Sequence, residues 1–201
     1  MCLLLETIKV KNKFLQNIEF HNERLNRSRF ELLKCKDEID LGKEVAIPAM
    51  LTSEVYKCRV LYSKQIEKIE FQPYLLKPIQ TLKIIEANEI EYAHKFADRT
   101  HLEQLKSGLL SYDDILIVKN HCVTDTSYAN IIFFDGKNWL TPDTPLLKGT
   151  KRSQLLQKQV IQEQRIRLED LPKFQHAKII NAMIDLEESQ LISIDSIVLK
   201  A

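Results

Sequence analysis

The sequence predicts an α+β fold. Short segments with alternating apolar residues recur along its 201 residues, which is typical of strands. One segment near the amino end has helical periodicity instead, and the regular strand–helix alternation of a parallel α/β fold is absent. Hydrophobic residues make up 44% of the chain and charged residues 28%, which is typical of a globular protein. The length suits one large domain or two small lobes.

Residues 1–90 are expected to form a small α+β lobe. Phe20, Leu25, Phe30 and Leu33 recur at helical spacing, and Asn17 stands where a side chain commonly caps a helix. The predicted elements are a strand over 3–10, a helix over 18–33, a hairpin of strands over 56–62 and 65–71, and a strand over 81–87.

Residues 91–201 are expected to form a larger, β-rich lobe. Its strongest local signal is Asp135-Gly136 between two apolar runs, which predicts a hairpin turn. The predicted elements are helices over 101–106 and 153–162, and strands over 114–119, 130–134, 138–141, 166–168, 178–182 and 193–199.

Charge and composition exclude several classes of function. Lys and Arg total 29 against 28 Asp and Glu, so the basic excess of a nucleic-acid-binding domain is missing. No run is apolar enough for a membrane span, and the start lacks the pattern of a signal peptide, so we expect a cytoplasmic protein. The four glycines form neither of the nucleotide-binding motifs GxGxxG and GxxxxGK(S/T), so Rossmann and P-loop nucleotide sites are not supported. The four cysteines are Cys2, Cys35, Cys58 and Cys122. They form no CxxC pair, so we expect no zinc site and four unpaired thiols.

Gly149 and Thr150 stand at a predicted helix start, where backbone N–H groups and the helix dipole favour an anion such as phosphate. A plain loop-to-helix junction is the alternative. Lys95 lies between an apolar strand and a helix, where a desolvated amine could form a Schiff base, although most lysines are simply exposed.

Three further candidates are polar residues with a structural alternative. Asp125 lies between apolar strands, so it is either a buried carboxylate with a partner or a turn former. Arg24 offers a fork suited to phosphate, or is a solvated helical charge. Asn181 follows a strand, where turn formers are common.

The order of these segments is more specific than any one of them. From the amino end the chain reads ETIKV, H-x-x-R-L, K-x-x-x-R, T-D-x-x-x-A-N, W-L-T-P, L-x-G-T-x-R-x-x-L-L and N-A-M. This series resembles the class IV aminotransferases, the pyridoxal-phosphate enzymes that include branched-chain and D-amino-acid aminotransferases and aminodeoxychorismate lyases. The resemblance runs from Glu6 to Met183 and is most specific over 123–156. It implies the two-lobed D-amino-acid-aminotransferase-like fold, PLP fold type IV, with a shortened amino-terminal lobe.

The resemblance also implies roles for individual residues. Lys95 would form the Schiff base with pyridoxal 5′-phosphate and move protons. Asp125 would pair with the ring nitrogen, where the family usually has the longer glutamate. The phosphate would be held by Arg24, Gly149, Thr150, Asn181 and Ala182. Arg99 would contact substrate or support the loop that carries Lys95.

The K-x-x-x-R segment looks more like the lyase branch, which implies cleavage of 4-amino-4-deoxychorismate into 4-aminobenzoate and pyruvate, a reaction of folate biosynthesis. An aminotransferase acting on branched-chain or D-amino acids is the first alternative. A catalytically inactive relative that serves as a binding protein is the second. The family resemblance further implies a small amino substrate and a homodimer.

Overall fold

The computed structural model describes residues 3–109 and 111–199, and the chain forms two compact units. Unit 1 contains the described residues through Leu76 together with His94–Asp98. Unit 2 contains Lys77–Ala93 and the described residues from Arg99 onward. Each unit combines helices with a sheet, antiparallel in unit 1 and mixed in unit 2, which confirms the predicted α+β class. Within the described ranges, no helix has the length and apolar character needed to cross a membrane.

Unit 1 is built on a four-stranded antiparallel sheet with the strand order β2-β1-β3-β4. Apolar side chains of β1 and β3 form its core together with Leu25 and Leu41 of the helices. The elements are β1 (Leu4–Lys11), β2 (Phe14–Leu15), α1 (Ile18–Leu33), α2 (Leu41–Glu44), β3 (Tyr56–Tyr62) and β4 (Ile66–Pro73).

Unit 2 contains a sheet in which nine described strands take part. The main path runs β10-β9-β8-β7-β6-β5-β13, while β11 pairs with β8 and β12 pairs with β11. The strands are β5 (Leu82–Glu86), β6 (Asp114–Lys119), β7 (Cys122–Thr126), β8 (Asn130–Phe134), β9 (Trp139–Pro142), β10 (Gln162–Gln164), β11 (His176–Ile180), β12 (Ile192–Ser193) and β13 (Ile197–Leu199). The α-helices are α3 (Thr100–Leu105) and α4 (Thr150–Gln157).

The strongest periodic segments were predicted correctly. Helix α1 and the strands β3, β6 and β8 begin and end at the predicted residues. The strands have an alternating or continuous apolar pattern. The face of α1 that is buried is mostly polar instead, and Phe30 of its predicted apolar face is exposed. Strand β7 was missed. Its polar residues Thr124, Asp125 and Thr126 are all buried, so the segment has no alternating pattern to detect.

Three predicted elements of unit 2 were wrong in extent or type. The helix predicted over 153–162 is α4, which ends at Gln157 because Gln159 has a positive φ of 56°. The strand predicted over 166–168 is reduced to an isolated bridge between Arg167 and Cys122, and a 3₁₀ helix begins at Leu168 and ends at Lys173. The strand predicted over 193–199 is interrupted by a 3₁₀ turn over Ile194–Ser196.

The described cysteines carry no disulfide: Cys35, Cys58 and Cys122 are free, as expected, and Cys2 lies outside the described residues. Burial raises the pKa of the Cys58 thiol to about 12. Because the thiolate is the reactive form, Cys58 is a core residue rather than a nucleophile.

The predicted capping role of Asn17 was wrong. Asn17 has a left-handed backbone (φ 58°), and its side chain makes no capping hydrogen bond. Its amide oxygen and nitrogen are both buried and have no hydrogen-bond partner among the described residues. Burial of an unpaired amide is costly, so this side chain does not stabilise the helix start.

We therefore predict that Asn17→Gly raises the stability of the protein. Glycine adopts the left-handed backbone without strain and removes the buried amide, which should outweigh its greater freedom in the unfolded chain and gain about 1 kcal/mol. Urea denaturation measures the difference. Asn12→Gly is the matched control, since Asn12 has a similar φ of 53° but is exposed. A loss of stability in Asn17→Gly that exceeds the loss in Asn12→Gly would contradict the prediction.

Candidate active site

Asp125 and Asn130 face each other across the hairpin formed by β7 and β8. They are paired residues in the antiparallel register, separated by a tight turn that the Thr126 hydroxyl and backbone close against Ala129. Side chains of paired residues lie close together on one face of a sheet. Accordingly, the amide Nδ2 of Asn130 donates a 2.7 Å hydrogen bond to Oδ1 of Asp125.

Asp125 is a buried carboxylate, so the alternative of a turn-forming aspartate was wrong. Besides Asn130, the backbone N–H of Leu147 donates to its Oδ2 at 2.9 Å. Burial raises the pKa of Asp125 to about 6, although these two hydrogen bonds and the charge of Arg152 oppose the rise. The carboxyl is therefore mostly ionised at neutral pH.

Position 149 requires a glycine because its backbone lies very close to the side chain of Asn130. It precedes α4, and a Cβ at this position would collide with Oδ1 of Asn130. Its φ of −70° is open to any residue, so space rather than backbone conformation demands glycine here. Thr150 is buried as the first residue of α4, where the backbone N–H groups of a helix start favour an anion.

Arg152 fixes the first turn of α4 to the sheet. Its Nη2 donates to the carbonyl of Pro142 at 2.8 Å and to Glu163 at 2.6 Å, and its Nε donates to Oγ1 of Thr141 at 3.2 Å. The guanidinium is buried, so this network anchors the helix whose start was predicted to hold a phosphate.

Asn181 stabilises a turn after β11. Its Oδ1 accepts hydrogen bonds from the backbone N–H groups of Met183 at 2.8 Å and Ile184 at 3.1 Å. Its Nδ2 donates to the carbonyl of Tyr128, in the turn between β7 and β8. Ala182 lies half-buried in the same turn as Asn181. The turn-forming alternative therefore describes Asn181, and phosphate contact by Asn181 and Ala182 stays a prediction.

Arg99 also supports the turn between β7 and β8. Its Nη2 donates a 2.7 Å hydrogen bond to the carbonyl of Ser127. Ser127 is itself held by Asp114, whose Oδ2 accepts from the Ser127 backbone N–H at 3.3 Å. This contact gives Arg99 a structural role at the Asp125 hairpin, and its contact with substrate stays a prediction.

In unit 1, Arg24 is bound to a buried glutamate. Glu6 stands on β1 between Leu4 and Ile8, on the face of the strand that forms the core. The Nε and Nη2 atoms of Arg24 donate to the two oxygens of Glu6 at 2.8 and 2.5 Å. Arg24 is only 5% exposed, so the alternative of a solvated helical charge was wrong.

His21 completes this cluster. Its Nδ1 lies 2.6 Å from Oε2 of Glu6, and both side chains are fully buried. Burial by itself raises the pKa of Glu6, but the charge of Arg24 and the hydrogen bonds from His21 and Arg24 outweigh it and hold that pKa at about 2. Burial lowers the pKa of His21, so a neutral His21 donates its Nδ1 proton to an ionised Glu6.

Lys95 lies beside the same strand. The backbone N–H of Leu5 donates to the Lys95 carbonyl at 2.9 Å, and Phe96 forms an antiparallel bridge with Leu4. Lys95 is half-buried rather than fully exposed, and its charge acts on His21. Strand β1 thus positions both candidates of unit 1, Lys95 through its backbone and Arg24 through the Glu6 side chain.

Comparison with known proteins gives these residues a context. The model of the amino-transferase class IV family matches residues 3–187, nearly the whole chain. The chain belongs to the class IV aminotransferase family. An uncharacterized protein of Haemophilus influenzae is 40% identical to this class IV chain over 182 residues, covering 90% of it and 97% of the relative.

Solved structures show the same fold. A protein of Haemophilus somnus provisionally named 4-amino-4-deoxychorismate lyase is 34% identical, with a TM-score of 0.86 over 91% of this chain and 97% of that one. A hypothetical aminotransferase from Mycobacterium tuberculosis in its PLP-bound form has 15% identity and a TM-score of 0.76, covering 95% of this chain and 80% of that one. These likenesses confirm the predicted type IV fold, and the short chain fits a reduced lobe.

The cofactor of this family is pyridoxal 5′-phosphate, and two features of this class IV chain fit it. Asp125 is a buried, mostly ionised carboxylate of the kind that pairs with a protonated ring nitrogen. The first turn of α4, which begins at Thr150, offers backbone N–H groups that favour an anion such as the cofactor phosphate. When bound, the cofactor supplies an electron sink for bonds broken at the substrate's amino-bearing carbon.

Sequence reasoning missed two polar residues that hold the candidates in place. Asn130 was visible as the last letter of T-D-x-x-x-A-N, and a four-residue turn would have placed it opposite Asp125. Glu6 was visible as the one acid among Leu4, Ile8 and Val10 on the buried face of β1. A charged residue on an apolar strand face is the signal, because it must be paired when buried.

We predict that Glu6→Gln destabilises the protein in a pH-dependent way. The folded-state pKa of about 2 lies below the usual 4.5, so the Glu6 charge stabilises the fold above pH 4.5 and loses this effect as the pH falls toward 2. The shift corresponds to about 3 kcal/mol at neutral pH. The measurement is the free energy of unfolding from pH 7 to pH 2.5.

Glu23→Gln is the matched control, because Glu23 is on the same helix but its side chain is 68% exposed. We expect this control to change stability by less than about 0.5 kcal/mol at any pH. An equal loss at pH 7 and pH 2.5 in Glu6→Gln would mean that packing, not charge, explains it.

Proposed function

We propose that this protein is a pyridoxal-phosphate-dependent lyase that converts 4-amino-4-deoxychorismate into 4-aminobenzoate and pyruvate. The observation that carries the proposal is the 34% identity, over almost the full length of both chains, to the Haemophilus somnus protein provisionally named for that activity. The Lys95-x-x-x-Arg99 segment supports the same branch of the family. The reaction divides one molecule into two and consumes neither oxidant nor reductant.

In this proposal Lys95 is the catalytic residue. Its Nζ would hold the cofactor covalently and, as a free amine, would take the proton from the amino-bearing ring carbon of the substrate. The carbon–oxygen bond to the pyruvyl group breaks, the ring becomes aromatic, and the leaving enolpyruvate gains a proton. One proton leaves the ring carbon and one is added to the enolpyruvate, so the reaction neither releases nor consumes a proton overall.

The remaining candidates bind and orient. Asp125 holds a proton on the ring nitrogen by opposing its positive charge. Gly149 and Thr150 contribute the backbone of a helix start and a hydroxyl to the phosphate. Arg24 contributes a guanidinium whose Nε–Nη2 edge is already fixed by Glu6, which limits its rotation. Asn181 and Ala182 are assigned to the phosphate side by their motif.

We predict that Lys95 alone forms the reducible bond to the cofactor. Borohydride reduces a carbon–nitrogen double bond to a stable amine, so protein incubated with pyridoxal phosphate should retain it after reduction and denaturation. Peptide mass spectrometry should place it on residue 95. Lys95→Ala should lose this labelling, and Lys158→Ala, an exposed lysine at the end of α4, should keep it.

Two outcomes would change the interpretation. Labelling that persists in Lys95→Ala would assign the bond to another lysine. Parent protein that is never labelled would favour the alternative of a relative that has kept the fold and lost the chemistry.

We further predict that 4-amino-4-deoxychorismate yields 4-aminobenzoate and pyruvate in a one-to-one ratio. Because the substrate amine is retained in the product, no 2-oxo acid acceptor should be needed. Transfer from D-alanine or L-leucine to 2-oxoglutarate should be slower by at least about tenfold in kcat/KM. Faster amino transfer would identify an aminotransferase instead. Lys95→Ala is the control for both assays.

A further inference from the structure

We propose that Asn130 is a positioning residue that aligns the Asp125 carboxylate and joins it to the backbone leading into α4. The part of this inference that concerns the cofactor rests on the proposed function, because the target of Asp125 is the ring nitrogen. The hydrogen-bond geometry that supports it lies entirely within unit 2.

Asn130 uses one amide group to hold two partners. Its Nδ2 donates to Oδ1 of Asp125 at 2.7 Å and to the carbonyl of Leu147 at 2.9 Å. The N–H of the same Leu147 donates to Oδ2 of Asp125 at 2.9 Å. The three residues thus form a closed set of hydrogen bonds, in which neither carboxylate oxygen can turn without breaking a bond.

The other end of the Asn130 amide lies against Gly149. The collision that a Cβ on Gly149 would make with Oδ1 of Asn130 shows how closely the two approach. Asn130 is 4% exposed, so its amide has little room to move. A displacement of the helix start is therefore passed to the Asp125 carboxylate through one rigid side chain.

This arrangement lowers the pKa of the Asp125 carboxyl relative to burial alone. The ionised form of Asp125 is favoured by its hydrogen bonds from Asn130 and Leu147 and by the charge of Arg152, the cation of α4 that acts on it. Removing the Asn130 donor should raise the pKa of Asp125 by about one unit above its value of about 6. A protonated Asp125 no longer opposes a positive ring nitrogen.

The direct test is titration of Asp125 in the protein without added cofactor. Carbon-13 NMR of aspartate-labelled protein follows the carboxyl resonance, which Asp125→Asn identifies by its loss. We expect Asn130→Asp, which keeps the side-chain size and removes the donor, to raise the pKa by about one unit or more because like charges share one proton. Asn120→Asp is the matched control on an exposed asparagine and should leave the Asp125 titration unchanged.

A second variant guards against misfolding of the first. Gly149→Ala leaves Asp125 and Asn130 chemically intact but pushes the amide aside, so it should also raise the Asp125 pKa. Circular dichroism identifies which variants are folded. An unchanged Asp125 titration in a folded Asn130→Asp or Gly149→Ala variant would overturn the proposal.

The second readout is affinity for pyridoxal phosphate. Near pH 5.5, below both pKa values, a rise of one unit leaves about five- to tenfold less of Asp125 ionised, so we expect Asn130→Asp to bind it weaker than the parent by about that factor. At pH 8 Asp125 is mostly ionised in both proteins, so the ratio should fall to about twofold or less. A loss that is equal at both pH values would mean a purely steric role and would overturn the proposal.

Failure of the proposed function gives a different result. If the Asp125 titration moves as expected but the parent binds no pyridoxal phosphate, the proposed function fails and the hydrogen-bond role of Asn130 stands. If the parent binds the cofactor and the titration does not move, the role of Asn130 fails alone.

Discussion

The burial of the Asp125 carboxylate is the constraint on which the candidate site of unit 2 depends. A buried charge must be hydrogen-bonded, and here the donors come from Asn130 across the hairpin and from the backbone of Leu147. The register of β7 against β8 follows, since a slip of one residue would turn Asn130 to the other face. The glycine at 149 follows as well, because the amide of Asn130 fills the space of a side chain.

Unit 1 solves a similar problem with a second buried acid. Glu6 interrupts the apolar face of β1, and its charge is satisfied by Arg24 and His21, three residues apart on one face of α1. The ion pair with Glu6 holds Arg24 in a fixed orientation in the core of unit 1. Each unit therefore contains a buried carboxylate, Asp125 or Glu6, that needs hydrogen-bond donors. Meeting that need fixes the positions of neighbouring candidate residues.

Class IV membership fixes the fold and the cofactor of the family, while the reaction depends on side chains that differ within it. In this chain an aspartate stands where the resemblance leads one to expect the longer glutamate. The shorter side chain keeps the carboxylate close to β7, within reach of its cross-strand partner Asn130 and the N–H of Leu147. Two donors on a short, buried side chain give a carboxylate with little rotational freedom.

The sequence by itself determined the α+β class, the family and the strands with an alternating or continuous apolar pattern, such as β3 and β6, because apolar spacing and motif order are local properties. It marked Asp125, Arg24 and Gly149 but left each open between a functional and a structural role. Only the tertiary structure showed that Asp125 and Arg24 are buried and which residues hold them, since Glu6 and Arg24 are distant in sequence and meet across strand and helix. Strand β7 was hidden for the same reason: its polar residues are buried by partners that no local pattern reveals.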